Sequence, residues 1–229
     1  MFADGADIEQ IRTFSINPLV SGFTTNPTLA RKAGVSDYVA FSREAAALVS
    51  PMPISIEVLD DEFSEMVRQA RVIDSWGPNI YVKIPVSDTH GQSTVEVVGE
   101  LARGGIKVNV TAVFTLTQVA AVAEVLVTDT PSVVSIFAGR IADAGVDPMP
   151  TMSAARALLN EVVPTAELLW ASPREILNLV QAEECGADII TMTPDLWAKY
   201  NSLGKDLTVF SQETVQMFCR DARSARYVI

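Results

Sequence analysis

A (β/α)8 barrel is the fold class that this chain predicts. Eight short β-rich apolar runs recur at steady intervals, helical patterns fill the gaps, and glycines stop several of those helices. The runs are Phe2 to Asp4, Val20 to Thr25, Ile54 to Val58, Ile80 to Ile84, Ile106 to Val110, Val133 to Phe137, Leu168 to Ser172 and Ala187 to Thr191. Helices are predicted over Asp61 to Asp74, Gln92 to Arg103, Thr117 to Val127, Met152 to Val163 and Pro173 to Ala182. Gly34, Gly105 and Gly186 fall where a helix hands over to the next unit, as left-handed C-terminal caps do. A doubly wound sheet would carry a glycine-rich phosphate loop after its first strand, and Asp4-Gly5-Ala6-Asp7 is not one.

No Pro/Gly/Ser-rich linker or change in composition divides the chain, so residues 1–229 are expected to form a single barrel domain, with 206–229 a C-terminal helical extension. Beyond the eighth run, Pro194 to Lys205 reads as a short helix and loop. Ser211 to Ala222 reads as an amphipathic helix, with Val215, Met217 and Phe218, that covers the barrel or a neighbouring subunit.

Composition removes several classes of function. A length of 229 residues with 48% hydrophobic content buries a full core. The net charge of −11 opposes binding to nucleic acid, and no basic run interrupts it. Apolar segments such as Ala112 to Val127 are broken short of a membrane span, and Met1 leads into an acidic segment without a signal peptide's basic start. The expectation is a soluble, cytoplasmic protein that binds neither membrane nor nucleic acid. Cys185, Cys219 and His90 do not make a metal site between them; the cysteines read as reduced core residues and His90 as a surface loop residue.

Lys83 is the residue that suggests chemistry. It sits inside the apolar run Ile80 to Val86, where an ammonium has no sequence neighbour of opposite sign. A desolvated lysine amine can condense with a carbonyl to form a Schiff base, whereas a lysine at a strand end can also snorkel to water. In a (β/α)8 barrel, polar residues at the carboxyl ends of the strands converge on one site. Those ends offer Asp4, Thr25 and Asn26, Glu57, Lys83, Asn109 and Thr111, Ser135 and Arg140, and Ser172 and Arg174. Asn109 and Thr111 are two apart and point to the same side of a strand. Each residue also has a bland reading: Asn26-Pro27 as a helix start, Ser172-Pro173 as a cap, Arg140 as an ion pair with Asp143.

These segments resemble the transaldolases, in particular the short bacterial branch that includes fructose 6-phosphate aldolases. The carriers are Thr24-Thr25-Asn26-Pro27, Val82 to Val86, Gly105 to Thr111, Ser135 to Ile141 and Ala171 to Arg174. The resemblance implies a class I aldolase type of TIM barrel without a cofactor or metal, in which Lys83 forms the Schiff base with a ketose phosphate. Asp4 would assist at the cleaved hydroxyl. Asn26, Asn109 and Ser135, beside Thr25, would hydrogen-bond the dihydroxyacetone unit. Glu57 and Thr111 would position a water, while Arg140, Ser172 and Arg174 would bind the phosphate. Two departures stand out: Gly5 where many relatives carry threonine or serine, and Pro173 where phenylalanine is common. Phe137, with Glu57 and Thr111, matches the transferase set rather than the glutamine and tyrosine of the aldolases. The resemblance therefore implies a transaldolase acting on sugar phosphates in the pentose phosphate pathway. The alternatives are a lyase releasing free dihydroxyacetone and a non-catalytic sugar-phosphate-binding barrel. Short relatives commonly form rings, so a homo-oligomer is expected.

Overall fold

A computed structural model describes residues 1–228. Its strands are β1 (Phe2–Asp4), β2 (Gly22–Thr24), β3 (Ile54–Glu57), β4 (Ile80–Pro85), β5 (Val108–Val113), β6 (Ser132–Ile136), β7 (Ala166–Trp170) and β8 (Ile189–Met192). They pair in parallel, in chain order, and β1 closes on β8, which is the (β/α)8 barrel expected from the sequence. Around it lie α1 (Ile8–Ser15), α2 (Pro27–Lys32), α3 (Tyr38–Val49), α4 (Phe63–Asp74), α5 (Val95–Arg103), α6 (Leu116–Ala123), α7 (Ala138–Asp143), α8 (Met149–Val162), α9 (Leu177–Glu184), α10 (Pro194–Lys199) and α11 (Leu207–Ser224).

Helix endings explain where strand boundaries moved. Gly105 and Gly186 adopt positive φ, 79° and 73°. The following residues close the caps: Ile106 N–H donates to Leu101 O and Ala187 N–H to Ala182 O. Ile106 and Ala187 thus still belong to helix ends, and β5 and β8 begin two residues later than predicted. The helix predicted from Pro173 begins only at Leu177. Asn178 Oδ1 accepts from the Arg174 and Glu175 N–H groups at 2.7 and 3.2 Å, which holds the intervening segment as a turn.

Strand alternation builds two layers inside the barrel. Phe2, Tyr81, Val133, Leu169 and Ile189 form an apolar plug. Two residues further along the same strands, Asp4, Lys83, Ser135, Ala171 and Thr191 line a cavity above it. The plug is tight at Gly22, where a Cβ would sit 2.4 Å from the Phe2 ring. The opposite faces of the strands, with Ile54, Ile56, Val82, Ile84, Val108, Val110, Val134 and Leu168, pack against the helices as the main core. Truncating such a side chain costs about 2–5 kcal/mol.

Outside the barrel, α11 buries none of its residues and exposes Leu207, Phe210, Val215 and Phe218. Cys185 is buried as expected, but Cys219 is exposed, because α11 presents it away from any core. Among the described residues no helix is long and apolar enough to cross a membrane.

Candidate active site

The cavity at the carboxyl ends of the strands has a volume of about 490 Å³ and is the meeting point of side chains scattered over most of the sequence. Lys83 reaches it from the middle of β4. The lysine is 7% exposed, and its Nζ donates to Glu57 Oε2 at 3.2 Å and to the Thr25 carbonyl at 2.9 Å. The opposite charge missing from its own segment is supplied by the adjacent strand, where Glu57 and Lys83 are direct register partners. A carboxylate at that distance can take a proton from the ammonium, and the released amine would face the cavity as a nucleophile.

Asp4 is the second carboxyl group. Burial raises its pKa above the ordinary carboxylate value, opposed by the Lys83 charge and by a hydrogen bond from Thr24 Oγ1 at 2.9 Å. An acid pushed upward and facing a lysine can exchange protons with a bound hydroxyl.

Three strands share a hydrogen-bond chain. Ser135 Oγ donates to Asn109 Oδ1 at 2.6 Å, and Asn109 Nδ2 donates to Ser55 Oγ at 3.0 Å. With its carbonyl engaged, Asn109 offers the cavity a donor. Asn26 is similar: its Oδ1 caps α2 by accepting from Leu29 N–H at 2.9 Å, so its amide NH₂ remains for a ligand. The helix-start reading of Asn26-Pro27 therefore holds together with its place in the cavity wall.

Thr111 also lines the cavity, next to a register shift between β5 and β6 and a positive φ of 57° at Ala112. Such a bulge re-aims side chains at a barrel rim.

At the outer end, Arg140 lies over the Phe137 ring, with 5.1 Å from guanidinium carbon to centroid. The ion pair that the sequence suggested for Arg140 and Asp143 is made by Arg174 instead: its Nε sits 3.0 and 3.1 Å from the two Asp143 oxygens, and Nη2 also donates. That hydrogen bonding holds the Asp143 carboxyl below the usual range. Ser172 does not cap a helix; it takes φ 57° in the turn before α9. The turn crosses the start of α7 so closely that a Cβ on Gly139 would lie 1.5 Å from the Ser172 carbonyl oxygen. Glycine at that position lets Arg140 and Arg174 face one opening.

Of the sequence-predicted residues, Asp4, Asn26, Glu57, Lys83, Asn109, Thr111, Ser135, Phe137, Arg140, Ser172 and Arg174 all line the cavity. Thr25 is present through its carbonyl, while the side chain facing the cavity at this point of β2 is Thr24. Ser55, Thr24, Thr191 and Lys32 belong to the site or its support and were not singled out in the sequence. Ser55 was within reach, since it precedes Glu57 by two on one strand. His90 is exposed and outside the site.

Comparison with known proteins identifies the family. The family model described as Transaldolase/Fructose-6-phosphate aldolase matches residues 1–228. The chain is 34% identical to "Probable transaldolase 2" of Listeria monocytogenes over 93% of its length and 97% of that protein. It is 34% identical to "Probable transaldolase" of Dehalococcoides mccartyi, covering 84% of this chain and 85% of that one. A "putative phosphonomutase" structure from Burkholderia cenocepacia superposes with a TM-score of 0.57 at 12% identity, covering 93% of each chain, which is a likeness of fold alone. With a family match over nearly its whole length and relatives above 30% identity, the chain belongs to the transaldolase/fructose-6-phosphate aldolase family.

Proposed function

We propose that this protein is a transaldolase that moves a dihydroxyacetone unit from a ketose phosphate, fructose 6-phosphate or sedoheptulose 7-phosphate, to an aldose phosphate. The observation that carries the reading is the buried Lys83 amine held between Glu57 and the Thr25 carbonyl at the floor of the cavity. Glu57 takes the ammonium proton through a water set with Thr111, and the amine adds to the substrate's keto carbon. Loss of water, with the proton returned, leaves the iminium. Asp4 accepts the proton of the hydroxyl on the far side of the cleaved bond, and the bonding electrons pass into the iminium to give an enamine. The aldehyde product departs, and a second aldehyde accepts the unit by the reverse steps. Asn26, Asn109 and Ser135 hold the oxygens of the three-carbon unit, while Arg140, Arg174 and Ser172 take the phosphate.

The apolar Phe137 beside Arg140 offers no acid to the bound enamine, which favours transfer over release of free dihydroxyacetone. The test is product analysis with fructose 6-phosphate, with and without erythrose 4-phosphate. Turnover beyond one equivalent of aldehyde per enzyme is expected only when the acceptor is present. Rapid accumulation of free dihydroxyacetone without it would establish the lyase instead.

Assembly into a homo-oligomer is part of the same reading, supported by the apolar face of α11, which finds no partner on its own barrel. Deleting residues 206–229 is expected to lower the sedimentation coefficient to that of a monomer. An unchanged assembly would remove α11 from the interface. Cytoplasmic location and work in sugar-phosphate metabolism fit an enzyme of this kind.

A further inference from the structure

The barrel is two hydrogen bonds short between β2 and β3, beside Lys83. The parallel ladder runs regularly up to that point: Phe23 N–H donates to Pro53 O at 2.8 Å and Thr25 N–H to Ser55 O at 3.2 Å. In this alternation the next two rungs would be Glu57 N–H to Thr25 O and then residue 27 N–H to Glu57 O. Neither is made. Thr25 O accepts from Lys83 Nζ, and residue 27 is a proline, without an N–H, that opens α2. Glu57 therefore has an orphaned donor and an orphaned acceptor on the side facing β2.

Tyr38, the first residue of α3, meets both with one hydroxyl. Its Oη donates to Glu57 O and accepts from Glu57 N–H, each at 3.3 Å. A phenol is one of few side chains able to give and take hydrogen bonds at one atom. We infer that Tyr38 is a positioning residue: it fastens the main chain of Glu57 in place of the missing rungs, keeping the Glu57 carboxylate and the Thr25 carbonyl directed at Lys83. Burial pushes the phenol up to about 12, so the hydroxyl keeps its proton across the working range. Tyr38 and Glu57 also line a second, mainly apolar pocket between α3 and α4, with Val72 and Trp76.

Because Tyr38 acts through Glu57, the inference rests on the proposed Schiff-base chemistry, and its test uses Tyr38→Phe alone and combined with Glu57→Gln. Tyr38→Phe is expected to lower kcat, and the rate of borohydride trapping on Lys83, about ten-fold through loss of alignment, leaving KM within about two-fold because the phosphate end is untouched. In the Glu57→Gln background the same change should alter the rate by less than about two-fold, since the group it positions has gone. A ten-fold loss in both backgrounds, a loss confined to KM, or no loss would overturn the inference while wild-type trapping leaves the proposed function standing. Failure of the wild type to trap substrate would remove both. Should Tyr38→Phe fail to fold, hydrogen exchange in the wild type decides: Glu57 N–H is expected to be as protected as Val58 N–H, and free exchange would contradict the clamp.

Discussion

Lys83→Met should reduce transfer activity by about ten-thousand-fold or more, because it removes the amine that forms the covalent intermediate in the proposed reaction. Methionine has nearly the same length and suits the apolar surroundings of β4, so the barrel is expected to survive. The change leaves the Thr25 carbonyl without its donor and Glu57 without its counter-charge. Because the Glu57 side chain is 19% exposed and the cavity opens to solvent, the stability loss should stay near 1–3 kcal/mol. Circular dichroism and the thermal midpoint report folding; steady-state transfer to erythrose 4-phosphate reports activity. Full activity in the variant would transfer the chemistry to another residue. Lys83→Arg should be as inactive, since the guanidinium stays protonated and cannot attack a carbonyl.

Asp4→Asn separates stability from activity. Asparagine keeps an oxygen for the Thr24 hydroxyl and removes only the titrating group. Activity is expected to fall about 100- to 1000-fold, with the cleavage step slowed more than the binding of phosphorylated sugar. The effect on folding has the opposite direction. Burial raises the Asp4 pKa in the folded protein above its unfolded value. Between those two values the folded state binds the extra proton, so this group makes stability decrease as pH rises through the window and leaves a constant deficit above it. Asparagine has no such deficit. At pH 7 to 8 the variant should therefore melt at a higher temperature than the wild type, and the difference should shrink as pH falls below the folded-state pKa of Asp4. A lower melting temperature at neutral pH would show that the Asp4–Lys83 attraction outweighs desolvation at this site. A catalytic group that destabilises the resting fold is a recurrent cost of active sites.

The expected residues converge because strand alternation is a strong constraint. Once eight runs are counted and closed into a barrel, the inward positions follow at intervals of two, and Asp4, Lys83 and Ser135 fall one layer above the plug of Phe2, Tyr81 and Val133. Asn109 and Thr111 obeyed the same rule despite the bulge at Ala112. Alternation also explains the exchange of Thr24 for Thr25: the segment Val20 to Thr25 was legible as a strand, but its inward parity depends on the register with Asp4, which only pairing with β1 determines. Boundaries shifted where glycine caps held residues 106 and 187 to the preceding helices, and where Asn178 delayed α9. Least legible were contacts through main-chain groups. The Thr25 carbonyl, the Asn178 turn and the Tyr38 clamp have no residue-type signature, because a carbonyl or an N–H is present at almost any position. Lys32 and Thr191 also escaped, one at the end of a short helix and the other as the last residue of the eighth run, where a lone threonine ending a β-branched stretch has the look of an ordinary strand residue.

In the proposed reaction one buried amine bonds covalently to the sugar. Incubating the wild type with fructose 6-phosphate, reducing with borohydride and mapping the peptides by mass spectrometry tests it directly. One adduct is predicted, on the peptide containing Lys83, absent from Lys83→Met. An adduct on Lys32, the other lysine lining the cavity, or active enzyme recovered without any adduct, would contradict the account.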